Sequence, residues 1–174
     1  RMGFWGASTG GTASSDVSFS SIQRMDYSND GASFVTMAAN LSTTGPNQPG
    51  QNTFATVSNA NYGYLRGGGK YDGSGDSYGS FSDMVNRYDF ANDTYIALTN
   101  VASVTRGGAG VGNQDYGYFC CGGQDGGVVG YSFTQRIDYS NDTSSLDDRG
   151  NNARKLSRTV GTSNKDYGYL IGGA

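Results

Sequence analysis

The 174-residue sequence contains no histidine and no glutamate, and its two cysteines, Cys120 and Cys121, are adjacent. Without histidine, the chain lacks the commonest general base and the commonest metal ligand of proteins. Catalytic triads and zinc sites that need histidine are therefore excluded. We expect a protein that is not an enzyme and that holds no cofactor or metal.

Long apolar runs and an excess of basic residues are also missing. Hydrophobic residues make up 35% of the chain, and no stretch approaches the roughly 20 apolar residues of a membrane-spanning helix. Twelve bases against fifteen acids, all of them aspartate, leave a formal net charge of -3. Because a nucleic-acid-binding face needs excess positive charge, we expect no nucleic-acid partner and no membrane insertion.

The two adjacent cysteines do not have the spacing of a disulfide framework or of a Cys-x-x-Cys site. Neighbours on a strand point to opposite faces, so the two thiols cannot easily bridge to each other. We interpret Cys120 and Cys121 as small buried residues. A thiol that pairs with another molecule is the alternative.

Glycine, in contrast, is abundant, with 29 residues, and many of these recur in internal repeats. One motif, centred on Tyr-Gly-Tyr and followed by a double glycine, occupies residues 61–68, 115–123 and 166–173, with a weaker copy at 3–6. A second motif, Arg-x-Asp followed by Asn-Asp, occupies residues 24–30, 87–93 and 136–142. The structural repeat positions are Arg24, Asp26, Arg87, Asp89, Arg136, Asp138, Gly63, Gly117 and Gly168.

The two motifs alternate three times, with a period of about 50 to 60 residues. In this frame the chain divides into three blade units and the start of another: residues 1–62, 63–116, 117–167 and 168–174. The first unit is longer because of a loop insertion near residues 44–52, which holds both prolines. Repeats of this length are typical of propellers and solenoids.

Short aromatic or β-branched runs, separated by Gly, Asn, Asp and Ser clusters, predict about four strands in each unit. The third unit shows this pattern, with predicted strands at 118–121, 130–139, 144–146 and 159–162 and a turn at 140–143. Apolar residues with helical spacing are absent. We therefore predict an all-β fold of three four-stranded blades, which form part of a larger or oligomeric β-propeller.

The middle unit resembles a kelch repeat. Apolar residues precede the double glycine at 67–68, and Tyr88 and Tyr95 follow in the next strands. Tyr95 stands where kelch repeats have tryptophan, and Ala32 and Ser144 stand there in the other units. This departure concerns the kelch type of blade and leaves the propeller prediction unchanged.

The amino-acid sequence of the repeats at 136–143 and 166–169 resembles the kelch-like repeats of tail-fibre and other virion proteins of marine bacteriophages, particularly cyanophages. The resemblance spans residues 3–173. It implies a structural or adhesive role at the virion surface, outside the cell, and brings no catalytic residue with it.

The recurring arginine and aspartate pairs have two interpretations. Each arginine lies two residues before an aspartate, as in Arg87 and Asp89. Such a pair either pins the corner between strand and turn within one blade or offers a fork for carboxylates or sugars. Repetition at identical positions favours the structural strut. The glycine run at 107–112 is followed by no helix, so we interpret it as small residues at a crowded propeller centre and not as a phosphate loop.

Candidate binding residues are the aromatic and acidic residues that lie in or beside the loops that differ most between units. Stacking rings beside polar groups suit sugars. The predicted ligand-binding residues are Tyr71, Asp72, Asp76, Tyr78, Phe81 and Tyr131. Residues 72–76 also resemble the start of a calcium loop, although a flexible hairpin is the alternative interpretation and no metal site is assigned.

Three blades cannot close a ring, because propellers typically have four to eight. We expect the chain to be part of a longer polypeptide or to complete its ring with further copies. The predicted function is a structural or adhesive propeller of a phage tail fibre or virion surface, with other blades, virion proteins or host-surface glycans as partners. The alternative is a secreted or cell-surface lectin that closes its ring by oligomerisation. Galactose-oxidase-type chemistry requires histidine and is set aside.

Overall fold

A computed structural model describes residues 2–4, 9–10, 17–18, 21–40, 51–52, 55–71, 78–81, 84–100, 105, 107–124, 129–143 and 145–173. Within these residues the chain is all-β, as predicted. The helical residues described there form one 3-10 turn, Tyr27–Asn29. Nowhere in the described ranges is a helix long and apolar enough to cross a bilayer.

The strands succeed one another along the chain as short segments. They are β1 (Met2–Phe4), β2 (Thr9–Gly10), β3 (Val17–Ser18), β4 (Ser21–Met25), β5 (Val35–Asn40), β6 (Gln51–Asn52), β7 (Ala55–Ser58), β8 (Tyr62–Arg66), β9 (Gly69–Tyr71), β10 (Tyr78–Phe81), β11 (Met84–Asp89), β12 (Thr94–Asn100), β13 (Ala109–Gly112), β14 (Tyr116–Cys120), β15 (Gly123–Gln124), β16 (Val129–Gly130), β17 (Thr134–Asp138), β18 (Asp147–Arg149), β19 (Val160–Ser163) and β20 (Gly168–Ile171).

These strands form a series of antiparallel sheets with one recurring topology. The second sheet has the order β12-β11-β8-β7 and the third the order β13-β14-β17-β18. These two sheets confirm the predicted four-stranded units, and their strands are antiparallel. The first sheet has three described strands, β1-β4-β5, and β19 pairs with β20 in a last hairpin. The second sheet runs from 55 to 100, so its first strand comes from the range predicted as unit 1.

Some predicted strands of the third unit differ from the observed ones. The predicted strand at 130–139 is broken, because β16 ends at Gly130 and β17 begins at Thr134. The predicted strand at 144–146 is not formed at residues 145 and 146, residue 144 lies outside the described residues, and the next strand is β18 at Asp147–Arg149. The predicted strand at 159–162 lies at Val160–Ser163.

The register makes the three sheets equivalent residue by residue. The pairs Arg24 with Gly3, Arg87 with Tyr64, and Arg136 with Tyr118 lie opposite each other on neighbouring strands. The sequence repeat aligns Gly3 of the weak first copy with Gly63. Strand pairing instead places Gly3 at the position of Tyr64, so the predicted alignment is wrong by one residue.

Successive sheets pack face to face along the chain. We call the side of a sheet that faces the next sheet its forward face and the other side its backward face. The forward face of the second sheet carries Ala55, Val57, Tyr64 and Val85, which pack with Phe119 and Ile137 on the backward face of the third. Its backward face carries Leu65 and Tyr88, which pack with Ile22 and Met37 of the first. The hydrophobic core thus lies between sheets.

The glycine of the Tyr-Gly-Tyr motif makes room for the preceding sheet. A Cβ atom at Gly117 would collide with Val57, and one at Gly168 would lie 2.7 Å from a methyl group of Val111. In the same way, a Cβ atom at Gly110 would collide with the carbonyl oxygen of Thr56. At Gly110 a small residue is therefore required where the first strands of adjacent sheets meet, which fits the small residues predicted to be needed at 107–112.

A left-handed residue follows the second strand of the second sheet, of the third sheet and of the last hairpin. The φ angles are 70° at Gly67, 61° at Cys121 and 71° at Gly172. Cys121 thus occupies the first position of the double glycine in the third unit, and β14 ends at Cys120. The prediction that this strand continues to Cys121 and ends at the glycines 122–123 is wrong by one residue. Both cysteines are buried and free, as their interpretation as buried residues expects.

Candidate functional site

The aspartates of the Arg-x-Asp motif shape the turns that follow them. Each accepts a hydrogen bond from the backbone N–H two residues later. The distances are 2.9 Å at Asp26, 2.8 Å at Asp89 and 2.9 Å at Asp138. Hydrogen bonds from the side chain of Asn92 and from Ser140 lower the pKa of Asp89 and of Asp138, respectively, below its usual value. The repeated aspartates therefore act as turn caps.

Two arginines of the same motif, Arg87 and Arg136, form salt bridges with other aspartates. Arg87 donates to Asp142 of the next unit at 2.7 Å, and Arg136 donates to Asp147 at 2.7 Å. The predicted struts from Arg87 to Asp89 and from Arg136 to Asp138 are therefore wrong in their partners. The physical reason is that the aspartates are already engaged by their own turns, whereas Arg87 lies on the forward face and reaches the next sheet.

Asp142 joins the second and third sheets. Its Oδ2 atom accepts hydrogen bonds from the Tyr64 hydroxyl at 2.9 Å and from Arg87 Nη1 at 2.7 Å. The side chain of Asp142 is buried, and burial together with this carboxylate raises the pKa of Tyr64 well above its usual value. The Arg87 guanidinium lies 4.6 Å from the ring centre of Tyr62, and the Tyr64 ring stacks on Tyr139 at 5.1 Å.

The corresponding arginine and aspartate also lie close together between the first and second sheets. Arg24 of the first sheet lines a narrow pocket together with Tyr88 and Asp93 of the second. Asp93 accepts a hydrogen bond from the Tyr88 hydroxyl at 2.9 Å, and the charge of Arg24 acts on that tyrosine. The last aspartate of the repeated turn therefore faces the arginine of the preceding unit. From the sequence, this aspartate is predicted only as a turn residue; the signal that identifies its contact with the preceding unit is its recurrence beside a recurring arginine.

A buried arginine crosses the same sheet boundary as Asp142. Arg66 is 2% exposed and donates to Gln135 Oε1 at 2.9 Å, and Gln135 in turn donates to Asp148 at 3.0 Å. Its guanidinium lies 4.9 Å from the ring centre of Phe133. Burial lowers the pKa of Arg66 to about 10. These contacts place Arg66 in the packing between sheets and not at a ligand surface.

The predicted ligand-binding residues are only partly brought together. Tyr71 on β9 pairs directly with Tyr78 on β10, and Phe81 pairs with Gly69 in the same hairpin. Equivalent hairpins, β2–β3 and β15–β16, also connect the second and third strands of their sheets. Tyr131 lies in the third unit, where it bridges to Leu156 and its ring is 5.6 Å from that of Phe133. Asp72 and Asp76 lie outside the described residues.

A cleft of about 400 Å³ lies between the third sheet and the last hairpin. Its walls include Tyr118, Cys120 and Thr134 of the third sheet and Tyr167, Gly168 and Leu170 of the hairpin. Over the ranges given above, the structure shows no cluster of three metal-binding side chains. The cleft is therefore the candidate site that the described side chains define most fully.

Polar groups at one end of this cleft are engaged in their own turns. Asn113 Oδ1 accepts from the N–H groups of Asp115 and Tyr116, both at 2.9 Å. Asn164 Oδ1 accepts from two backbone N–H groups in the same way, and Lys165 pairs with Asp166 at 2.8 Å. Asn59 makes the equivalent turn in the second sheet. These three asparagines are not among the residues predicted from the sequence, although they recur three residues before the first tyrosine of each Tyr-Gly-Tyr copy.

The forward face of the last hairpin is apolar and exposed. The exposed fractions are 63% for Val160, 67% for Tyr167, 50% for Tyr169 and 54% for Ile171. Three of the equivalent positions in the second sheet, Ala55, Tyr64 and Arg66, are all at most 4% exposed. The last hairpin therefore exposes to solvent the face that, in the second sheet, is buried in the core against the next sheet.

Antiparallel sheets that repeat and stack in this way define an all-β, propeller-like chain. No family model and no curated protein matches the sequence. Among solved structures, the chain is similar to a propeller-like protein titled "Structure of YjhT", with a TM-score of 0.68 and 13% sequence identity over 91% of this chain. The chain spans about half, 51%, of that chain's length. At this identity the similarity establishes the fold alone.

Proposed function

We propose that the chain is a non-enzymatic, propeller-like module of a phage tail fibre or virion surface, which acts by docking to neighbouring proteins or to host-surface glycans. The observation that carries this proposal is the exposed apolar face of the last hairpin, with Val160, Tyr167, Tyr169 and Ile171. Exposed apolar patches on folded domains mark interaction surfaces.

The use of the charged groups supports a scaffold role. Arg87, Asp142 and Arg66 connect neighbouring sheets, and Asp89 and Asp138 cap turns. Groups held in this way give rigidity to the stack. A rigid stack with an uncovered end face is suited to positioning other molecules. The virion location comes from the resemblance of the repeats and stays a prediction.

A second candidate function is carbohydrate binding, the lectin alternative. The cleft places Tyr118 near Asn152, Lys165 and Asp166. Tyrosine rings can stack on the apolar face of a sugar while amide and charged groups bond its hydroxyls. Against this candidate, Lys165 and Asp166 pair with each other, and Asn152 Nδ2 donates within the third unit.

The location can be tested by immunogold electron microscopy with an antibody against the purified chain on a concentrate of marine phage particles. The proposal expects label on tail fibres or other surface parts of virions. Label confined to cells, together with binding on a glycan array, would establish the lectin candidate instead. Absence of label from both particles and cells would overturn the proposal.

The docking face can be tested with a matched pair of isoleucine variants. Ile171→Ser alters the exposed forward face of the hairpin, whereas Ile96→Ser alters an isoleucine 44% exposed on an outer strand. We expect Ile171→Ser to weaken capture of the chain by other blades, virion proteins or glycans at least tenfold, and Ile96→Ser to leave it within twofold. Equal effects of the two variants would contradict a docking role for this face.

A further inference from the structure

The cleft beside the last hairpin lies on the forward face of the third sheet. On the forward face of the second sheet, the equivalent place is filled by β17, the third strand of the third sheet. The cleft walls Tyr118, Cys120 and Thr134 are equivalent by register to Tyr64, Arg66 and Val85 of the second sheet. In the second sheet those residues are covered by residues of β17 and the turn after it: Ile137 packs on Tyr64 and Val85, Gln135 bonds Arg66, and Asp142 bonds Tyr64. An equivalent third strand would fill the cleft.

The last hairpin also has an open edge at the required place. The second strands β8 and β14 each pair on both sides, with a first strand and with a third strand. In the part of the chain that the structure describes, β20 pairs with β19 alone. An edge strand with unpaired backbone groups is a template for adding another strand.

A third strand of this repeat is available in the first sheet of the chain itself. By register, Arg24 and Met25 on β4 are equivalent to Arg136 and Ile137 on β17. The turn after β4 has the same aspartate cap as the turn after β17, and it brings Asp30 to the position of Asp142. Asp30 is exposed in this structure.

Building on the proposed docking function, we propose that the occupant of the cleft is a second copy of this chain. The β4–β5 pair of that copy adds to the edge of β20 and completes a four-stranded sheet. Met25 enters the cleft, and Asp30 binds Arg136 as Asp142 binds Arg87. The expected register places Gly168 opposite Met25, which is the relation of Gly117 to Ile137 in the third sheet.

Two observations favour a second copy over an unrelated partner. The described first sheet has no first strand beside β1, and the last hairpin supplies such a strand, β19. The first sheet and the last hairpin are therefore complementary. The chain also spans 51% of the propeller-like solved chain, so two copies match that length. In such an assembly β20 replaces β1 beside β4, and Arg136 exchanges Asp147 for Asp30.

The oligomeric state tests the proposal. Light scattering after size exclusion, over a protein concentration of about 1 to 100 µM, should show twice the 18.3 kDa chain mass. Asp30→Arg alone and Arg136→Asp alone should each give monomers, whereas Asp115→Arg, a control at another exposed aspartate, should leave the dimer intact. Mixing the first two variants restores opposite charges at both junctions and should restore the dimer.

Amide hydrogen exchange gives an independent test of whether β20 has replaced β1 beside β4. In the dimer the amides of β20 should be protected at least tenfold more than in the Asp30→Arg monomer, and those of β1 should be less protected. The mixing experiment excludes misfolding as the cause of the single-variant monomers, because two unfolded variants would not assemble together.

Three outcomes would overturn the proposal. The first is a wild-type chain that is monomeric at 100 µM. The second is a dimer that the charge reversals leave unchanged, which would place the interface elsewhere. The third is a monomer that binds a synthetic peptide of residues 134–149 at β20, which would assign the cleft to a further unit of the same repeat. Virion labelling by the antibody does not depend on any of these results, so the proposed function would fail separately.

Discussion

Replacing Asp142 by alanine removes the acceptor that joins the second sheet to the third. Tyr64 then keeps a buried hydroxyl without its partner, which costs about 1–3 kcal/mol. Breaking a buried ion pair by removing one partner costs about 3–5 kcal/mol, but the Arg87 side chain is 25% exposed and water can solvate part of its charge. We therefore expect Asp142→Ala to lower the free energy of unfolding by about 3 kcal/mol.

Two further variants separate the contributions to this loss. Asp142→Asn keeps a hydrogen-bond acceptor but removes the charge, so we expect a loss of about 1–2 kcal/mol. Asp115→Ala removes an exposed carboxylate from a turn of the third sheet and should change stability by less than about 0.5 kcal/mol. The contrast between Asp142 and Asp115 isolates the role of the inter-sheet contact from the general effect of losing an aspartate.

Urea unfolding followed by intrinsic fluorescence measures these differences. With a slope of about 2 kcal/mol/M, the midpoint for Asp142→Ala should fall by about 1.5 M. A double-mutant cycle with Arg87→Ala should give a coupling energy above about 1 kcal/mol. The reasoning would be refuted by a loss no larger than that of Asp115→Ala, or by additive effects of the Arg87 and Asp142 changes.

Three other predictions concern the backbone, acid stability and the thiols. Gly67→Ala should destabilise by at least about 2 kcal/mol more than Gly172→Ala in thermal unfolding, because both have a left-handed backbone but only the Cβ at 67 collides with Thr105; equal losses would contradict this. Because the pKa of Asp138 is lowered from 3.8, its stabilisation is complete above that value and is lost as the pH falls through the lower native pKa. The difference in urea midpoint between the wild type and Asp138→Asn should therefore shrink between pH 5 and pH 2, and a constant difference would disprove the cap. Burial raises the pKa of Cys121 to about 11, so iodoacetamide at pH 8 should label it only after unfolding, and mass spectrometry showing rapid labelling of the native chain would contradict this.

Much of the fold could be predicted from sequence because its signals are local. Short β-branched and aromatic runs between turn residues specify strands, and the recurrence of the Tyr-Gly-Tyr motif specifies equivalent sheets. The role of Gly117 follows from its repetition, and the structure supplies the reason in Val57 of the preceding sheet. The equivalence of Cys121 and Gly67 could not be predicted, because the sequence repeat aligns the glycines at 122–123 with those at 67–68. A cysteine in the left-handed glycine position is not visible in that alignment.

The partners across sheets could not be predicted in the same way. Asp142 and Tyr64 are 78 residues apart, and a sequence pattern does not show which face of a strand meets which neighbour. Arg87 and Asp89 are close in the sequence, so a local interpretation paired them. The structure instead satisfies Asp89 through its own turn and sends Arg87 to the next sheet.

The one-unit offset of the Arg87–Asp142 pair has a consequence for how such chains change in evolution. Duplication or loss of one whole unit preserves every junction, because each unit carries both an aspartate for the arginine before it and an arginine for the aspartate after it. Recombination between unrelated arrays, in contrast, brings together an arginine and an aspartate that never evolved as a pair. Arrays of this repeat can therefore lengthen or shorten by whole units without a new interface having to arise.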